Sequence, residues 1–351
     1  MAYTTINKSS LHMNTKTFTG NGGTQSITGI NFQPDMTWLK KRNGTANHHL
    51  VDAVRGAGYY LYGNLTNAQG GNGSALLTSF NTDGFTLDAG ADSNASGATG
   101  VSWNWKANGA GSANTAGGIN STVSVNTTSG FSIVKYTGNG SSGSTVGHGL
   151  GSVPQMIITK RLTSGDDWIV QHHKITTGNP WDDQYCMLNS TAARAGSYSV
   201  SGGYTPTSSL IYLGSDGRVN GNGQDYISYV FVGKTGYSKF GSYTGNDNAD
   251  GTFVYTGMKP AFVMLKNTDR GEDWLMHDNK RDIDNLVHSR IAANEANADY
   301  NSDSNGLDFL SNGFKIRTSS SAWNYSGNNL IYMCFAEAPL VGTNNVPCTA
   351  R

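Results

Sequence analysis

FQPDMTWLKKR, residues Phe32–Arg42, returns as VPQMIITKR at Val153–Arg161 and as KPAFVMLKN at Lys259–Asn267. Each copy is a proline, a run of strand-forming residues and a lysine six places on: Pro34 and Lys40, Pro154 and Lys160, Pro260 and Lys266. Side chains alternate along a strand, so Met36 and Trp38, Met156 and Ile158, and Phe262 and Met264 share one face with the lysine beyond them. That face is expected to enter a core, with each lysine stem covering the core edge and its ammonium reaching water. The proline suits the first position of a strand, where a missing N–H costs least.

Other features repeat in the same order. KTFTGNG (Lys16–Gly22), VKYTGNG (Val134–Gly140) and GSYTGND (Gly241–Asp247) place Phe18, Tyr136 or Tyr243 directly before Thr-Gly-Asn. A second apolar run follows the lysine at His49–Gly56, Asp167–His173 and Asp273–Asp282. Asp52 with Arg55 and Asp278 with Arg281 form an Asp-x-x-Arg pair there that repeat two lacks. A turn and strand are expected at Thr82–Leu87, Ser215–Val219 and Ser311–Ile316, from their Asp-Gly or Asn-Gly pairs. Each repeat closes on an aromatic strand, with Trp103 and Trp105, Tyr229 and Phe231, and Met333 and Phe335 in equivalent places.

Composition agrees with strands. Glutamate occurs only as Glu272, Glu295 and Glu337, while 46 glycines and many Asn, Ser and Thr separate the apolar runs. The chain reads as all-β, and a period above 100 residues is too long for a solenoid, so each repeat is expected to be a self-contained β-sandwich. The expected organisation is an arm at 1–15, which docks on a partner or frays, repeat one at 16–106, a flexible linker at 107–130, repeat two at 131–234, repeat three at 235–338 and an irregular tail at 339–351. The linker expectation rests on proline spacing, 120 residues for the first pair against 106 for the second, and on the Gly/Ser/Asn/Thr content of Ala107–Gly130. Repeats two and three, joined by only Gly233–Gly236, are expected to pack together with repeat one on a looser tether. Asp282–Ala298 is helix or loop.

Charge excludes several classes. Lys plus Arg and Asp plus Glu both number 24, so nothing steers the chain toward nucleic acid. No apolar run approaches the roughly 20 residues that span a bilayer, so membrane insertion is not expected. MAYTTINKSS lacks the pattern of a secretory signal. Cys186, Cys334 and Cys348 are an odd set without metal or redox spacing.

No catalytic, cofactor or metal constellation emerges. His48–His49 and His172–His173 are adjacent pairs, which a strand points to opposite faces. NDNADG (Asn246–Gly251) echoes a calcium loop, yet Gly257 stands where the closing acid belongs. The Asp-x-x-Arg pairs read as ion pairs bracing a loop. Tyr59, Tyr60, Tyr62, Trp181, Tyr185, Trp323 and Tyr325 lie among turn residues and are either a sugar- or protein-binding surface or buried plugs. No site is assigned.

Taken together, TGNG, the Pro34–Arg42 pattern, Asp-x-x-Arg-Gly, SFNTDGFTL (Ser79–Leu87), VSWNWK (Val101–Lys106), GYSKFGSYTGN (Gly236–Asn246) and IYMCFAEAPLVGTNNVPCTAR (Ile331–Arg351) resemble a module of tailed phages of marine and freshwater bacteria. The resemblance covers nearly the whole chain. It implies three tandem lectin-like β-sandwich (jelly-roll) domains in a non-enzymatic protein of the virion exterior, assembled in the host cytoplasm. Expected partners are other virion proteins and a host cell-surface glycan, with a homo-oligomer, by default a trimer, as the assembly. The roles it implies are host attachment as a tail or head fibre, or capsid decoration; a polysaccharide depolymerase is a remote third, because no acid is shared by all three repeats. Repeat two departs from the pattern, with Arg218 where Phe85 and Phe314 are expected.

Overall fold

The computed structural model describes residues 2–71, 76–182, 184–196, 199–301 and 306–347. The chain is nearly all β, and its helical segments among these residues are single turns. Three large antiparallel sheets and three small ones follow the three repeats.

The large sheets share one order. In each, the closing strand lies between the opening strand and the strand after the proline. In repeat one Thr99–Trp105 sits between Met13–Thr19 and Met36–Lys41. In repeat two Asp225–Phe231 sits between Phe131–Thr137 and Met156–Arg161. In repeat three Asn329–Pro339 sits between Ser238–Thr244 and Met258–Asn267. The register pairs Trp103 with Trp38, Tyr229 with Ile158 and Met333 with Met264, so the closing aromatics are equivalent as expected. The second apolar runs pair on the far side as His49–Asp52, Ile169–His172 and Trp274–Asp278. Of the three repeated prolines, Pro260 alone lies within a strand, at a register shift; Pro34 and Pro154 precede theirs by two residues.

The strand after the proline is buried on both faces, which corrects the expected packing. Leu39, Ile157, Val263 and Leu265 face the small sheet of their own repeat, within separate apolar clusters. The opposite face, with Met36, Trp38, Met156, Ile158, Phe262 and Met264, enters a single cluster drawn from all three repeats. The repeats are therefore not self-contained, because each large sheet completes its burial only against the other two. At roughly 25 cal/mol per Å² of apolar surface, a shared core of this size dominates cohesion between repeats.

Two further expectations fail for the same reason. Repeat one is not loosely tethered, since Trp38, Trp103 and Trp105 are at most 2% exposed in the shared core. Residues 107–130 are no flexible linker either. Ser112–Asn114 and Ser121–Asn126 are strands that extend the repeat-two sheet beyond Phe131–Thr137. Alternation explains this, as Val123 and Val125 join the repeat-two core while the intervening Ser and Thr give the segment its linker-like composition.

The N-terminal arm docks on its own chain. Ile6 enters the shared core, and the Tyr3 hydroxyl donates to the Gly257 carbonyl of repeat three at 2.7 Å. The first strand begins at Met13, inside the expected arm. Asp282–Ala298 is not helical; its ordered part is the two-residue strand Ile291–Ala292 and isolated bridges. The tail past Pro339 holds only a Val341–Pro347 bridge, and Cys348–Arg351 lie outside the described residues.

Candidate functional site

Much of the conspicuous chemistry in the sequence goes into closing the three repeats into a ring. Lys40, Lys160 and Lys266 are fully buried, contrary to the expectation that they reach water. Each ammonium donates to a carbonyl of a neighbouring repeat: Lys40 to Ala296 at 3.1 Å, Lys160 to Thr66 at 2.9 Å and Lys266 to Thr191 at 2.8 Å. Each also donates to a carbonyl nearby in sequence, Lys41, Asp166 or Glu272. Burial pulls all three down to about 8. A second trio uses ring N–H groups. Trp168 donates to Tyr62 and Trp274 to Met187, both at 2.9 Å, and His48 Nε2 donates to Ala292 at 3.0 Å. The His48 tautomer follows from its Nδ1, which accepts from the Trp38 indole.

The Asp-x-x-Arg pairs form a third trio. Asp52 and Arg55 meet at 2.5 Å and Asp278 and Arg281 at 2.6 Å, all essentially without solvent. Each aspartate also accepts from the next repeat, Asp52 from the Tyr229 hydroxyl and Asp278 from the Trp103 indole. They brace the ring as well as their own loops. Repeat two solves the same junction with a neutral ring, His172, which donates to the Tyr332 carbonyl. Its Nδ1 accepts from the Lys174 amide, which fixes that tautomer.

The recurring Thr-Gly-Asn is a clamp. Asn94, Asn220 and Asn324 are fully buried and each bonds the turn of its own repeat, accepting from the amide of Asn21, Asn139 or Asn246. The preceding glycine is required by close approach. A Cβ on Gly20, Gly138 or Gly245 would lie 2.4, 2.6 or 2.2 Å from the carbonyl oxygen of Ala95, Gly221 or Tyr325. In repeats two and three the clamp residues sit on the single helical turns Gly217–Asn220 and Ser321–Asn324. The expected strand at Ser215–Val219 is thus a helical turn, and the small-sheet strand lies earlier, at Leu210–Leu213. Ile211 is the counterpart of Phe85 and Phe314, so Arg218 replaces neither.

With the repeats aligned at these asparagines, one concave site stands out. In repeat one a cavity of about 300 Å³ is lined by His49, Tyr60, Tyr62, Leu76, Asp88 and Asp92. Strand pairing sets His49 opposite Tyr62, and the His49, Tyr60 and Tyr62 rings stand 5.0 to 5.3 Å apart, two pairs edge-on and one tilted. Asn94 fixes the facing wall by donating to the Asp88 carbonyl. Burial lowers His49 to about 4, so its ring is neutral at physiological pH. A hydrogen bond with Tyr60 raises Tyr62 to about 12, so its hydroxyl stays protonated. Half-buried tyrosine rings beside carboxylate acceptors suit the apolar face and hydroxyls of a sugar.

The corresponding place in repeat two is filled. Arg218, the counterpart of Asp92, lies 4.7 Å over the Tyr185 ring and pairs with Asp216. Of the other aromatics singled out in the sequence, Trp181, Tyr185 and Trp323 are buried plugs, whereas Tyr325 is exposed beneath the Arg270 guanidinium. Asp88 and Asp92 escaped sequence reading, and His49 was weighed there only as half of an adjacent histidine pair. Aligning Asp92 with Arg218 through Asn94 and Asn220 is the signal that exposes them.

The remaining candidates have structural surroundings. His173 donates to the Phe240 carbonyl, with its ring against His172. In the calcium-like turn, Asp250 pairs with Lys315 and Arg317, and the Asn246 and Asn248 oxygens accept turn amides. Among the described residues no group of three or more His, Cys, Asp or Glu is arranged to hold a metal ion. Glu337 pairs with Lys259, and Glu272 lies near Arg270. Cys186 and Cys334 are buried free thiols, both pushed up by burial. No described helix is long and apolar enough to cross a membrane.

No curated protein and no solved structure matches this chain. One family model does, over residues 8–339, a span that takes in all three repeats and the ring they close. The chain belongs to that family, described as Domain of unknown function (DUF7483).

Proposed function

We propose that this chain is a non-enzymatic structural protein of a tailed-phage virion exterior, presenting lectin-like modules that attach to a host-surface glycan. In this reading each repeat is one jelly-roll domain, and its partners are other virion proteins and the glycan. The observation that carries the proposal is the division of labour between centre and rim. The buried lysines, the Asp-x-x-Arg pairs and His48, His172 and His173 hold three repeats together, as a durable particle protein needs, while the open aromatic and acidic pocket of repeat one lies on the outside. The sequence resemblance supports the virion setting.

Immuno-electron microscopy on intact particles tests the location, with label expected on tail or head fibres. Binding of purified protein to host polysaccharide, lost in Tyr60→Ala, tests attachment. Release of reducing sugar from that polysaccharide would overturn the non-enzymatic assignment.

Capsid decoration is the second reading, favoured by the cyclic contacts. A ring of three like repeats offers three similar outer faces, which suits a site of local threefold symmetry on a shell. Label confined to the head capsomers, with no polysaccharide binding, would select it.

A further inference from the structure

Strand register gives the pocket residues of repeat one counterparts in the other two repeats. His49 pairs with Tyr62 as Ile169 pairs with Met187 and Leu275 with Ala292. Two residues before Tyr62, Met187 and Ala292 stand Tyr60, Tyr185 and Arg290. On the facing wall, the buried asparagines Asn94, Asn220 and Asn324 align Ser93 with Val219 and Trp323.

Both other repeats place a guanidinium of their own here. In repeat two Arg218 lies 4.7 Å over the Tyr185 ring, and that ring packs with Ile169, Val200 and Val219 in a small apolar cluster. In repeat three Arg290 lies 4.7 Å over the Tyr300 ring and 6.0 Å from that of Trp323. Repeat one supplies no such cation among the described residues. Asp92 replaces Arg218, Tyr60 replaces Arg290, and His49, Tyr62 and Ser93 replace the apolar Ile169, Met187 and Val219.

The exchange leaves a cavity of about 300 Å³ in which two carboxylates meet two half-buried tyrosine rings. Among the described residues the Asp88 carboxylate accepts only from the adjacent Ala89 amide, and that of Asp92 makes no hydrogen bond or ion pair. Lys40, whose charge reaches Asp92, lines no part of the cavity and donates to the Lys41 and Ala296 carbonyls. Two carboxylates against one ammonium keep the site negative, and a cation over an aromatic face beside a carboxylate is attracted by both. We propose that this pocket binds a sugar carrying a free ammonium group, an unacetylated amino sugar, whose charge takes the place that Arg218 and Arg290 fill in the other repeats. The ligand class rests on the reading of this pocket as the glycan site. The volume favours a sugar over a lone side-chain head, since small-ligand sites begin at roughly 300 Å³.

Cellotetraose, the chitin tetramer and the fully deacetylated chitosan tetramer share one backbone and differ at a single ring position, which carries a hydroxyl, an acetamide or an ammonium. Calorimetric titration of the full chain at pH 6, where the amines are charged, is expected to show the chitosan tetramer binding roughly five- to twentyfold tighter than the other two. That preference should vanish in high salt and in Asp92→Asn, with the denaturant midpoint of the variant unchanged. Asp92→Arg, which supplies the cation from within as repeat two does, should abolish binding. No binding of any tetramer, equal affinity for the three, or an undiminished preference in Asp92→Asn would each overturn the proposal. Equally tight binding of acetyl-lysine amide, with its free side-chain ammonium, would also overturn it and make the ligand a protein side chain. Host polysaccharide that binds and is lost in Tyr60→Ala, with no preference among the tetramers, would remove the amine and leave attachment standing. The preference without polysaccharide binding would support the amine and remove attachment.

Discussion

The Lys40 ammonium donates to the Ala296 carbonyl, 256 residues further along the chain, and so joins repeat one to repeat three. Lys160 and Lys266 make the same contact at the other two junctions. Replacing any one by Met keeps most of the stem volume and leaves two buried carbonyls without a donor. An unsatisfied buried acceptor costs about 1–3 kcal/mol, so each variant should lower the denaturant midpoint at constant slope, with similar losses at the three sites. A neutral result at all three would mean that water replaces the ammonium.

Because the central core draws on all three repeats, they should not melt separately. Calorimetry of the full chain is expected to give one transition, with matching calorimetric and van't Hoff enthalpies. A fragment spanning residues 107–338, which keeps the whole repeat-two sheet, would uncover Phe262 and Phe335 where they now meet Trp103 and Trp105 of repeat one, and should bind a hydrophobic dye or associate. Independent melting of the repeats would contradict the ring.

The repeat pattern and strand order were legible because proline, lysine and the closing aromatics recur in fixed order. The sharing of one core was not. Both faces of the strand after the proline are apolar, Met36 and Trp38 on one and Leu39 on the other, and a strand buried on both sides loses the alternation that reveals which face meets what. Ser121–Asn126 failed differently. Half its side chains are small and polar, so composition outweighed the Val123 and Val125 alternation. The pocket stayed hidden because Asp92 and Arg218 align only through two buried asparagines in an Asn-rich chain, where one more asparagine carries no signal.

Repeat two offers a tested alternative to the buried ion pair. Asp52→Ala strands Arg55 and the Tyr229 hydroxyl in the core, and breaking a buried pair from one side costs about 3–5 kcal/mol. The double change Asp52→His with Arg55→Ile copies His172 and Ile175, and histidine can still accept from Tyr229. The double variant should therefore be more stable than Asp52→Ala in chemical denaturation. Finding the reverse would show that the charges themselves are needed at this junction.

Acid should loosen the ring before it protonates most carboxylates. Burial holds His48, His172 and His277 well below their ordinary value and His49 at about 4. The unfolded chain binds protons at these rings from about pH 6.5 downward while the folded chain does not, so their contribution is complete above pH 6.5 and is lost as pH falls toward 4. Each fully buried ring contributes a slope of up to about 1.4 kcal/mol per pH unit in that window. Denaturant midpoints at pH 7 and pH 5 should differ clearly, and His172→Gln should flatten the difference. The buried lysines give the opposite end of the curve. Lowered to about 8, they are charged in the folded protein at neutral pH against the preference of their surroundings, and stability from this source rises between pH 8 and 10 as the folded state sheds its protons first. Lys160→Met should remove a third of that rise, whereas a flat profile from pH 8 to 10 would mean that the carbonyl pairs at each ammonium fully offset its burial.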